Sequence, residues 1–132
     1  MRRLIAGLAL GLLAATSTVR AEPLAMMGIG LTSCRQIAAD LKPDLGFTHT
    51  PNVLVFVWAQ GYMSAANMVL LEGDSEYVDL TKYDMKAILP AIQAFCAKNP
   101  DKKPVSLIDV MIEEADRRKG IWTKGTIGWA AD

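Results

Sequence analysis

Apolar and polar positions alternate along this chain with changing period, and the period predicts the elements. Leu4–Ala15 is an almost unbroken apolar stretch behind Arg2 and Arg3. Residues 22–31 carry little pattern and read as an N-terminal arm. In TSCRQIAADLKP, Cys34, Ile37, Ala38 and Leu41 recur at helical spacing, Thr32 or Ser33 can cap the run, and Pro43 ends it. A short first helix is expected there, followed by a loop over DLGFTHTP.

The central segment, NVLVFVWAQGYMSAANMVLLEGD, is the most informative. Asn52 stands after Pro51 as a candidate cap, and Gly73 marks the expected end. From Val53 to Ala59 every side is apolar, and from Gln60 onward a polar stripe of Gln60, Ser64 and Asn67 appears at i, i+4, i+7. A helix apolar all round must be covered all round. A small domain can hardly surround half of its longest helix, so a second subunit is expected to cover the remaining side. Two other readings stay open. Val53–Leu71 is long enough to span a bilayer, against which stand Gln60, Gly61, Ser64 and Asn67. VLVFV could also begin a strand. Met63 and Met68 read as core filler.

EGDSEYVDLTKYD is acidic and turn-rich and reads as a solvated loop. In ILPAIQAFCAKNP, Ile88, Ile92, Phe95 and Cys96 share a face. Pro90 lacks an N–H and would clash with the Lys86 carbonyl, so the expected helix starts with Pro90 in its first turn, Met85–Leu89 forming a turn before it. KPVSLIDVMIEEADRRKG predicts the last helix, with Ile108, Met111, Ile112 and Ala115 as its apolar stripe. Glu113→Arg117 and Glu114→Arg118 are its expected i,i+4 pairs. The fold class expected is all-α: a small bundle of about four helices.

The first 21 residues match a cleavable export signal, with Val19 and Ala21 as the small residues before the cut. A membrane anchor or packed first helix is the competing reading. The expected organisation is a signal peptide over 1–21, a helical domain over 22–119 and a tail over 120–132. After cleavage, eleven basic and fourteen acidic side chains remain, a net charge of −3. No long basic run survives, so nucleic acid is not an expected partner. Export to an oxidising compartment makes the two cysteines, Cys34 and Cys96, most simply one structural disulfide.

Catalytic chemistry is not assembled. His49 is the single histidine and lies in a Pro-flanked loop, where solvation is its usual state. No glycine-rich phosphate loop, metal-ligand spacing or cofactor fingerprint occurs, so neither enzyme nor cofactor is expected.

A cysteine on the first helix, an apolar central helix, then YVDL and LPAIQAFCAKNPDKK with the second cysteine, resembles the HdeA/HdeB acid-stress chaperones of the bacterial periplasm. The specific residues are Val78, Asp79 and Leu80, then Pro90, Cys96, Asn99 and Pro100, and the likeness covers roughly 34–112. It departs at GYMSAANM and after Gly120. The resemblance implies a homodimer at neutral pH and an ATP-independent holdase in acid, which binds unfolding periplasmic clients on exposed apolar surface without inserting in a membrane. Val55, Phe56, Trp58 and Tyr62 are the expected dimer and client contacts. Glu72, Asp74, Glu76, Asp79 and Asp84 are the expected pH-sensing groups, since carboxylates as a class titrate near pH 4 and an ordinary imidazole well above the acid range. The alternative is a periplasmic immunity protein resembling the Tai-type partners of type VI secretion effectors, or an interaction domain without chaperone activity.

Overall fold

The structure is a computed structural model and describes residues 28–121. The signal peptide expected over 1–21, arm residues 22–27 and tail residues 122–132 lie outside the described residues. Within them the chain is a four-helix domain with one two-stranded sheet.

Helix α1 is Cys34–Asp40, and Ser33 caps it by accepting the Gln36 N–H at 3.4 Å. Its first free donors find partners in the connection that follows the third helix. The Cys34 N–H donates to the Lys102 carbonyl at 2.9 Å and the Arg35 N–H to Pro100 at 3.1 Å. The expected loop after α1 contains a 3-10 helix over Pro43–Thr48, broken at Gly46, whose φ of 51° favours glycine.

Helix α2 runs Thr50–Asp74, 25 residues, with Pro51 in its first turn. Asn52 is not its cap. Its amide is fully buried and binds backward, donating to the Lys42 and Gly46 carbonyls and accepting the Lys42 N–H. Nor does Gly73 end the helix. Ser75, in the left-handed region at φ 53°, closes it two residues later than a glycine stop would suggest.

Helix α3 is Met85–Lys98, capped by Asp84, which accepts the Ala87 N–H at 2.9 Å. The expected break before Pro90 is absent, and Pro90 sits inside the helix. Lys86, Ala87 and Pro90 are all exposed, so the carbonyl left without a partner lies on the solvent side. Helix α4, Val105–Glu114, stops short of the basic residues expected in its last turn. Arg117–Lys119 form strand β2 instead, antiparallel to strand β1, Glu76–Val78, with Glu76 opposite Lys119 and Val78 opposite Arg117. The i,i+4 pairs expected along α4 are therefore replaced by pairs across the strands.

The core gathers Ile37 from α1 and Leu41 at its C-cap, Val55, Phe56, Ala59 and Met63 from α2, Ile88, Leu89 and Ile92 from α3, and Ile108 from α4. The disulfide Cys34–Cys96 ties α1 to α3 with Cα atoms 4.5 Å apart. By length and composition α2 could cross a membrane, yet one side of it supplies much of this core.

Candidate functional site

The side of α2 opposite the core is where sequence and structure leave something unexplained. Leu54, Val57, Met68 and Val69 are 54%, 59%, 46% and 71% exposed. Gly61, Ser64 and Ala65 lie exposed between them. Leu54, Val57, Gly61, Ala65 and Met68 follow steps of three, four, four and three, which place them along one face. From Thr50 to Leu71 the helix contains no charged residue. A surface helix ordinarily carries its charges on its outer face. This one presents aliphatic side chains to water over about 22 Å from Leu54 to Val69, at about 1.5 Å per residue.

The structure redistributes the residues expected on this surface. Val55 and Phe56 are 1% and 7% exposed and belong to the monomer core, in one cluster with Ala59, Met63 and the buried residues of α3 and α4. The expectation that they meet a second subunit is corrected: Leu54 and Val57 hold the outer positions. Met68, expected as core filler, lies on the outer face as well. Trp58 and Tyr62 sit on the shoulder, half-buried, with rings stacked at 5.7 Å and 24°. The turn Ile29–Leu31 packs there, and a Cβ on Gly30 would overlap the Trp58 ring, so only glycine fits beneath it. Part of the expected arm is thus packed. Tyr62 Oη donates to Asp109 Oδ1 at 2.7 Å, and this bond to the carboxylate, with partial burial, pushes the phenol up to about 12.

Sequence reasoning missed Leu54 and Val57 because an all-apolar stretch does not reveal which side faces in. One signal did exist. Gly61 sits in mid-helix, and a Cβ built there meets nothing, so monomer packing supplies no reason for a residue that weakens a helix.

The five acidic residues expected to sense pH divide into three roles. Glu76 and Asp79 bind β2: Lys119 Nζ lies 2.5 Å from Glu76 and Arg118 lies 2.7 Å from Asp79. Asp79 also accepts from the Thr81 hydroxyl at 2.6 Å and the Thr81 N–H at 3.1 Å. These bonds, and then Arg118 and Lys82, hold its carboxyl below the usual value. Asp84 is the α3 cap. Glu72 and Asp74 stand exposed at the end of α2 and make no ion pair among the described residues. The acidic stretch is therefore no simple solvated loop. On the inner side of β1, Asn67 accepts the Val78 N–H at 2.8 Å and donates to its carbonyl at 2.9 Å, standing where another strand would. His49, expected in solvent, is half-buried, with Nε2 2.7 Å from the Asp40 carbonyl.

A shallow cleft lies between β1 and the end of α4, lined by Asp79, Lys82, Tyr83, Glu114 and Asp116. Its charges are of both signs, with Lys82 and Asp116 3.6 Å apart. No protein-family model, curated protein or solved structure matches the chain.

Proposed function

We propose that this chain is an exported, ATP-independent holdase of the HdeA/HdeB kind, working in the periplasm as a homodimer that opens in acid. The observation that carries the proposal is the uncharged, exposed aliphatic face of α2 on a disulfide-stapled domain. Apolar side chains of this size contribute about 1.5–3 kcal/mol each when covered. A client segment with exposed core residues offers that cover without needing a specific sequence. Acid would act through two effects. Protonating every carboxylate and His49 moves the exported chain from −3 to +12, counted from eleven basic side chains and the one histidine, and self-repulsion then opposes association and compactness. Protonating Glu76 and Asp79 would also remove the carboxylates that pair with Lys119 and Arg118.

The test is aggregation of an acid-labile client protein near pH 3 and near pH 7, with and without the purified chain. Suppression in acid alone supports the holdase. Equal suppression at both values, or none in acid, contradicts it, and a tight stoichiometric partner at neutral pH would favour an immunity protein. His49→Gln should leave the acid midpoint unchanged. A midpoint near pH 6 that disappears in this variant would move the sensor to the histidine.

A further inference from the structure

We infer that the neutral-pH occupant of the α2 outer face is a second copy of the same helix, packed antiparallel about a two-fold axis at Gly61. The inference rests on the homodimer of that reading and concerns the geometry of the association alone. It starts from the order of side chains along the face. Large residues stand at the ends, Leu54 and Val57 on one side, Met68 and Val69 on the other, and small ones at the middle, Gly61, Ser64 and Ala65. A two-fold contact pairs each residue with its counterpart at equal distance from the axis. With the axis at Gly61, Leu54 meets the second copy's Met68, and Val57 meets its Ala65. Large lies against small beside the axis, and Gly61 lets the backbones approach where they cross. A parallel pairing in register would set Val57 on Val57 and leave facing gaps at Gly61 and Ala65.

Charge favours the same arrangement. No charged side chain lies on α2 between Thr50 and Leu71, so close approach brings no like charges together in the middle. At the ends, Glu72 falls opposite the second copy's Thr50, in the first turn of its helix, with Asp74 just beyond. Carboxylates are stabilised near the positive end of a helix dipole, and these two make no ion pair within the chain among the described residues. The face is one helix wide and about 22 Å long. A contact of that extent falls at the small end of specific interfaces, below about 1,200 Å² in total, so the pair it forms is reversible.

Cysteine cross-linking at neutral pH tests the geometry on the purified protein, whose own two cysteines are already bonded to each other. Gly61→Cys should give a disulfide-linked dimer under mild oxidation, because the two thiols meet at the axis. Glu72→Cys should not, since its two copies would lie about 33 Å apart along the helices. Sedimentation at high micromolar concentration near pH 7 should show self-association that Val57→Lys weakens by about tenfold or more. Val57 is largely exposed, so that variant keeps its helical circular dichroism. Equal linking at both positions overturns the antiparallel arrangement. A monomer at every concentration, or linking of neither variant, overturns the second copy. Acid client protection, measured on the same variants, separates the two ideas: protection by a protein that never dimerises keeps the holdase and removes the homodimer from that reading. A Gly61-linked dimer with no acid protection does the reverse.

Discussion

Asn52 and Asn67 have the same task at opposite ends of α2. Each turns a side-chain amide into a substitute for a strand edge, Asn52 on the backbone of Lys42 and Asn67 on that of Val78. Asn52 is the deeper, fully buried and with three hydrogen bonds. Removing it leaves the Lys42 N–H and two carbonyls without their partner, so Asn52→Ala should cost about 2–3 kcal/mol, read as a lower urea midpoint. Asn52→Asp, nearly isosteric, should cost no less, because it sets a carboxylate oxygen against two carbonyls. A loss below 1 kcal/mol for both would show that water replaces the amide easily. Gly61 behaves in the opposite sense. With open space around its Cα, Gly61→Ala should stabilise the dilute monomer by about 0.5–1 kcal/mol. If urea unfolding of the dilute protein shows a loss instead, Gly61 has a role inside the monomer that open space does not explain.

The pairing of β1 with β2 is the element whose stability should depend most directly on pH. Asp79 is held below its usual value by Thr81 and Arg118, so it stabilises the fold above the unfolded carboxylate value, near pH 4, and loses that contribution as pH falls through the lowered folded value. Asp79→Asn should therefore flatten the decline of unfolding free energy from about pH 4 downward. An unchanged slope would remove this strand pair from the acid response. This pairing was not legible in the sequence. EYV and RRK are three residues each, too short for a period-2 pattern, and RRK continued a helical charge pattern that fitted its own i,i+4 pairs. The helices were legible because their apolar spacing is local, and α1, α2 and α4 begin within a few residues of their expected starts. Pro90 misled for a different reason. The rule against interior proline concerns a lost N–H and a displaced carbonyl, and an exposed helix side can hand that carbonyl to water. The outer face of α2 was half legible: an uncovered helix was expected, but uniform apolarity hid which residues it exposes.

At the scale of the molecule, the Cys34–Cys96 bond closes a loop over most of the domain, its ends separated by 62 in sequence. A loop of this size contributes about 4 kcal/mol in the chain-entropy description, close to the stability of a small domain. Reduction should unfold the protein or bring it to the edge of unfolding at neutral pH. Thiol titration in denaturant without reductant should find no free thiol, and two would contradict the bond. The same bond has a consequence for time as well as for stability. α1 packs on α3 across a long stretch of sequence, and contacts of large sequence separation are the ones that slow folding. With the bond intact, the two helices never part, and their contact is in effect local. A chain opened by acid would have only short searches left on neutralisation, so oxidised protein should regain its fold at least tenfold faster than reduced protein in stopped-flow fluorescence. Equal rates would mean that joining α1 to α3 is not the slow step. For a holdase, such a quick return to the closed state would set how soon a bound client is let go.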